Sequence, residues 1–524
     1  MTKRIQVMVL AAVLCLAGAT ACTQSNNWET LNRDATELYR AGKYERAITV
    51  AKKALEVAEK SVGPDHPNVA TTLNILAEIY REQRQYAQAE PLHRRALTIR
   101  ENALGPDHPS VAQSVNNLAV LYKNQGQYAQ AEPLLKRALA IGEKSLGPNH
   151  PDVATSLHNL AELYQDKGQY AQAELLCGRA LTIREKVLGP DHPDVATSLN
   201  NLALLYYAQG QYAQAEPLLK RTQAILEKAL GSNHPDVAKS LNNLALLHYG
   251  QCQYSQGAPL CERALAIMEK SLGSDHPDVA IIVNNLAVFY HEAAMYTQAV
   301  PLYNRSLAIM EKSLGLAHPD VAVILNNMAV FFYDQHAYAQ AEPLYQHALD
   351  IREKTLDPGH PDVAKSLNSL ALLYYEQRQY AQAELLFKRA LAIREKALGP
   401  EHPDVAATMH NLATLYHAQR KYAQAKPLYR RALTIREKTL GPNHPDVGAT
   451  AYNLSQVYLL QFQFNQSDSL FHRWMDIERK TWDSIFIGNS LRLPVRFYLV
   501  PAKGQIIEVE KLEERAVRIR STYR

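Results

Sequence analysis

Glycine is sparse in this chain, with 22 of 524 residues, and cysteine sparser, with five. The first excludes a Gly-rich fibre or collagen, and the second a disulfide scaffold. No sign of charge dominates: 56 Lys and Arg face 52 Asp and Glu, for a formal net charge of +4. That balance leaves no electrostatic footprint for nucleic acid, and none is expected as a partner. Phenylalanine (nine) and tryptophan (three) are few. The composition, 47% apolar and 21% charged, excludes a disordered chain and a multi-span membrane protein. Against these shortages stand 29 Tyr and 19 His. A length of 524 residues suggests three or four ordinary domains. Such a mixture gives no reason for the Tyr and His excess.

Residues 1–22 read MTKRIQVMVLAAVLCLAGATAC. Lys3 and Arg4 precede an apolar run from about Val7 to Ala17, too short to span a bilayer, which takes about 20 residues. This is the pattern of an export signal over 1–21, followed by a short linker over 22–27. Ala19-Thr20-Ala21 is an ordinary cleavage site. With Cys22 it also resembles a bacterial lipobox, although Leu is more usual than Ala19 at its start. The lipobox reading makes Cys22 the lipidated residue and membrane anchor. Thr23, where Asp would favour inner-membrane retention, then points to the outer membrane. The alternatives are a periplasmic or secreted protein and an uncleaved anchor. Cys177 and Cys261 share a helix core position and Cys252 sits in a turn, so these three read as buried hydrophobes and a loop thiol.

Self-similarity sets the fold. His-Pro begins at His66, His108, His150, His192, His234, His276, His318, His360, His402 and His444, every step 42 residues. An aromatic recurs in the same period from Tyr44 to Phe464, and a small residue follows three positions later. In the unit from Pro109 to Gly147, Val111, Val115, Leu118, Ala119 and Tyr122 mark the apolar face of one helix. Pro109 suits a first helical position and His108 its cap. Gly126-Gln127 makes a tight turn. Ala131, Leu134, Leu135, Ala138, Leu139 and Ile141 mark a second helix, stopped by Gly147-Pro148. Each unit is a helical hairpin with apolar faces that only stacking can bury. About eleven units fill residues 28–485.

The order Val115, Leu118, Ala119, Tyr122, Gly126, Tyr128, Ala131, Ala138 resembles the tetratricopeptide repeat. The phrases LNNLA, AEPL, RALAIREK and LGPDHPDVA are similar to kinesin light chain and its bacterial relatives. The resemblance implies an all-α, right-handed α-solenoid that binds protein or peptide partners without catalysis. The coiled coil that pairs with the motor chain is missing, so only the cargo-binding module carries over. First helices would line the concave groove.

One groove column holds Asn116, His158, Asn200, Asn242, Asn284, Asn326, Asn368 and His410. Amides donate and accept, so this column reads as a ladder holding the backbone of an extended peptide. The neighbouring column, from Asn117 to Asn453, reads as the bridge between hairpins. Tyr207, Tyr249, Tyr333 and Tyr375 form an aromatic column, and Lys239 and Lys365 are the clearest groove cations. Those tyrosines serve either ligand or hairpin packing. Kinesin light chains use a more basic groove for tryptophan-acidic peptides. Here the middle is nearly uncharged, which favours a partly apolar, Tyr-containing peptide or protein loop.

The His-Pro histidines fall one per hairpin, roughly 10 Å apart, too far to share a metal. No phosphate loop, HExxH or GxSxG occurs, so no enzyme activity and no cofactor are expected. The period fails after Ile485. Residues 486–524 contain LRLPVRFYLV and QIIEVE around a PAKG turn, a potential β-hairpin that caps the last apolar face. A docking tail is the alternative. From Gly488 onward eight basic residues face four acidic ones, so the tail carries the whole +4.

Overall fold

The computed structural model describes residues 28–485, with side chains to residue 479. The segment read as an export signal, Cys22 and the tail after 485 lie outside the described residues. Helix α1 spans 28–40 and α2 Tyr44–Val62. Every later odd helix starts at the Pro of a His-Pro, from α3 (Pro67–Glu82) to α21 (Pro445–Leu460). The even helices start at the recurring aromatic, ending with α22 (Phe464–Ile485). Consecutive pairs make hairpins 1 to 11, and the described residues contain no strand.

Local chemistry explains the boundaries. In every His-Pro the ring Nδ1 accepts the backbone N–H two residues on, at 3.0–3.2 Å. All ten histidines therefore cap helices, as the sequence implied. In hairpin 3, α5 (Pro109–Asn124) ends where Gly126 takes φ +72°, and Gln127 N–H returns to the Tyr122 carbonyl. Helix α6 (Tyr128–Leu146) ends at Gly147, φ +88°. The buried residues are those of the repeat: Val111, Val115, Leu118, Ala119 and Tyr122 face Ala131, Leu135, Ala138 and Ile141. Neighbouring hairpins are tied outside the core by ion pairs 36 residues apart, such as Arg137–Glu101 and Arg263–Glu227. The Tyr122-type phenol also donates to a Glu of the preceding hairpin, as in Tyr206–Glu174 at 2.8 Å. Cys177 and Cys261 are buried and unpaired, and burial pushes the Cys177 thiol up to about 11.

The superhelix is tight enough for consecutive turns to touch. Nε2 of His276, His318, His360 and His402 lies 3.1–3.2 Å from the backbone oxygens of Arg40, Glu82, Asn124 and Asp166. Each pair is 236 residues apart, which sets one superhelical turn at between five and six hairpins. Hairpins 1 to 5 thus present their inter-helix turns to the His-Pro caps of hairpins 7 to 11.

Candidate binding groove

The asparagine ladder exists, and its two columns are joined to each other. Asn243 Nδ2 donates to Asn200 Oδ1 (2.7 Å), Asn285 to Asn242 (2.9 Å), Asn327 to Asn284 (3.2 Å) and Asn411 to Asn368 (3.1 Å). The column read as ligand-facing therefore also bridges hairpins, through its carbonyls. It is the more enclosed of the two: Asn116, Asn242, Asn284 and Asn326 are buried, and the second column is half-buried. Hairpin 9 carries Ser369 where Asn would follow, and the Asn326 Oδ1 is buried without a partner. Bridging leaves the Nδ2 groups of Asn200, Asn242 and Asn284 and the Oδ1 atoms of Asn243, Asn285 and Asn327 unsealed, since none is a buried orphan.

Histidine replaces Asn at two rungs. The His158 ring meets Asn201 (2.7 Å) and Glu162 (3.0 Å), and Glu162 also holds Lys123. The His158 hydrogen bond and Lys123 hold Glu162 at about 2, against the cost of its burial. His410 meets Asn453 (3.2 Å) and lies beside Arg436. Burial, with Arg436 adding, pushes it down to about 3, so this rung is neutral.

The aromatic column is half-buried. Tyr207 packs on Tyr212, Tyr249 on Tyr254, Tyr333 on Tyr338 and Tyr375 on Tyr380, with ring centroids 5.6–6.1 Å apart. Packing within the hairpin is thus one use of these rings. Tyr249 also donates to Glu292 (3.1 Å). Lys239 pairs with Asp278 at 3.3 Å, which reduces it as a free cation, and Lys365 stays exposed. Between those two lysines the same column carries Ile281 and Val323, 46% and 40% exposed. They make an apolar floor that sequence reasoning passed over.

A cavity of about 280 Å³ opens on hairpins 1 to 3, lined by Thr71, Asn74, Ile75, Arg100, Gln113 and Asn117 among others. Asn117 shows that the second column faces the groove as well as bridging. Arg100 was missed because it comes from a second helix. Its guanidinium reaches Ser110 O, Ser114 and Thr71, with no carboxylate among its bonds, and burial lowers its pKa. Arg184, Arg352, Arg394 and Arg436 repeat this position, and Leu226, Met268 and Met310 hold it in the middle hairpins. No His, Cys, Asp and Glu cluster among the described residues could hold a metal, and no described helix is long and apolar enough to cross a membrane.

The tetratricopeptide-repeat profile matches residues 152–228, 198–257, 236–312, 320–396, 386–438 and 404–477, more than half the sequence. The chain belongs to the tetratricopeptide repeat family. The nephrocystin-3 tetratricopeptide domain matches residues 23–146 of this repeat protein. Solved structures similar to it include a Podosopora anserina chain of nearly identical tetratricopeptide-like repeats, described as a kinesin light chain. The two are 33% identical over 39% of this chain and 97% of that one, with a TM-score of 0.34. BtubC from P. vanneervenii is 24% identical over 44% and 92%, TM-score 0.37. A Rap protein complexed with competence and sporulation factor is 14% identical over 71% and 99%, TM-score 0.47. The fold is thus a tetratricopeptide scaffold of the kind associated with protein–protein interaction.

Proposed function

We propose that this repeat protein binds an extended peptide or protein segment along its concave groove, without catalysis. The observation that carries the reading is the ladder. Each rung fixes one amide by its carbonyl and the next by its amino group, leaving one donor and one acceptor per hairpin for a ligand. That is the hydrogen-bonding complement of a peptide group, whatever its side chain. Inner helices pack at about 8–10 Å and an extended chain advances about 3.3 Å per residue, so a rung meets roughly every third residue. Ile281, Val323 and the tyrosine column would then select apolar side chains near the middle.

The test is selection of unstructured peptides from a random library on the wild-type chain. Asn200→Ala, Asn242→Ala and Asn284→Ala together should abolish binding of the selected peptides. Helicity by circular dichroism should persist. Arg221→Ala with Arg263→Ala, on the outer face, should bind as wild type. Unchanged binding by the triple variant would sink the groove reading. Loss only in the outer-face variant would favour the second reading, an assembly platform using the convex face. The export signal and lipidation at Cys22 complete the proposal and place this binding in a bacterial cell envelope, at the outer membrane.

A further inference from the structure

The contact between superhelical turns has a chemical signature at both edges. On the cap edge, each histidine accepts at Nδ1 from its own helix, so the proton sits on Nε2 and points across the seam to a backbone carbonyl. The exposures follow. His318 and His360 side chains are 2% and 9% exposed, whereas His150, His192 and His234, with no hairpin one turn earlier, are about 40% exposed.

On the turn edge, the residue with positive φ is Gly42, Arg84, Gly126, Gly168 and Gly210 in hairpins 1 to 5. A Cβ at Gly42, Gly126 or Gly168 would stand 2.8–2.9 Å from the Pro Cδ of the facing cap, and at Gly210 it would stand 2.8 Å from the His444 ring. Arg84 instead crosses the seam to Asp320, Nη2 to Oδ1 3.4 Å. In hairpins 6 to 11 the same position is Cys252, Ala294, His336, Arg378, Arg420 and Phe462, all with φ near +58°. Among the described residues no His-Pro cap lies over these turns. Glycine thus occupies four of the five turns that lie under a cap, Arg84 being the exception, and none of the six in hairpins 6 to 11. The strain of this backbone conformation is tolerated at seven non-glycine residues, so conformation alone does not select the glycines.

We infer that the seam is a latch: repeated His–carbonyl contacts over glycine-cleared turns hold the superhelix at a closed pitch, and their release lets it lengthen. The groove's curvature is then set by residues outside the groove. The latch stands independently of what the groove binds.

The experiment compares full-length variants by small-angle X-ray scattering, with helicity as a check on folding. His318→Asn, His360→Asn and His402→Asn together keep an N-cap side chain but cannot reach across the seam. His108→Asn, His150→Asn and His192→Asn make the same change where there is no seam. The first set should increase the maximum dimension by a hairpin's width or more, and the second should leave it unchanged. A second route is Gly126→Asn with Gly168→Asn. Asn adopts positive φ readily and would wedge the seam from the other side, so this pair should lengthen the molecule too. Equal lengthening in both histidine sets, or no lengthening in the seam set and the glycine pair, overturns the latch.

Discussion

Gly257 breaks the repeat, and restoring the repeat residue should harm the protein. Every other hairpin from 1 to 10 has Ala at this position, and hairpin 6 alone has Gly. The facing residue of the next hairpin is Phe289, where hairpins 3 to 6 carry Leu and hairpin 8 carries Phe331, packed with Ala299. A Cβ on Gly257 would lie 2.2 Å from Phe289 Cε1, with the Ala245 carbonyl at 3.2 Å. The ring is 1% exposed and packs against Tyr249 at 5.8 Å, so retreat is blocked. Gly257→Ala gains about 1 kcal/mol of helix propensity. It incurs overpacking of about 1–3 kcal/mol, and a gap this short belongs at the upper end. The net loss is about 2 kcal/mol. Phe289→Leu alone empties the space beside Gly257 and costs about 1–2 kcal/mol. Combined, the two rebuild the Ala–Leu pair seen at Ala173–Leu205, and the double variant should match or exceed wild type. The assay is a double-mutant cycle by urea denaturation, with hydrogen exchange over residues 245–290 as the local reading. The local reading matters because solenoid stability is spread along the array. A neutral or stabilising Gly257→Ala, or additive single effects, would refute the reasoning.

Asp166 lies beside the seam, and burial, with Glu162 and Asp362 adding and Lys123 opposing, pushes its carboxyl up to about 6. A folded-state pKa above the usual value of about 3.9 means the native state holds the proton longer. Its contribution is present at low pH and is lost as pH rises through about 4 to 6. Asp166→Asn should therefore melt with wild type below pH 4 and above it at pH 7, and a constant offset would contradict the assignment. The difference is the right quantity, because buried His93 and His410, with lowered pKa values, impose the opposite slope on both proteins. For the anchor, fatty-acid labelling in a bacterial host should be lost in Cys22→Ala, and retained label would exclude that site.

The hairpin was fully legible in the sequence because its causes are local. His108 caps, Pro109 starts, Gly126 turns and Gly147 stops a helix within one 42-residue unit, and the apolar periodicities name the residues that became buried, except that Leu134 and Leu139 are only half-buried. The two Asn columns were legible in the sequence, but the hydrogen bonds that join them were not. Asn200 and Asn201 are adjacent on a helix, and which faces a ligand and which a neighbour depends on hairpin rotation. Both turned out to share one ladder, the first giving its carbonyl to Asn243 and the second meeting His158. Arg100 was hidden for a related reason: it starts from a second helix and reaches Thr71 and the cavity lined by first-helix residues.

The seam shows why a repeat can specify something longer than itself. Identical units fix only the rotation per unit, and the pitch follows by accumulation. Once the accumulated turn brings hairpin 7 over hairpin 1, positions equivalent by repeat stop being equivalent by environment. His108 and His360 have the same cap geometry, yet only His360 has a carbonyl to meet. Gly168 and Arg420 occupy the same turn conformation, yet only Gly168 lies under a proline ring. Departures from repeat symmetry therefore mark where environments diverge. Gly257 marks a local divergence, where the Phe289 ring lies closer to the helix than Phe331 needs to lie to Ala299. Glycine at four of the five turns in hairpins 1 to 5, with Arg84 the exception, marks a global one, and it stops after Gly210, which faces the His444 cap. One more hairpin in this period would carry its next cap, at position 486, over Cys252, where hairpin 5 has Gly210. On that argument each covered turn needs either glycine or, as at Arg84, a side chain that can cross the seam.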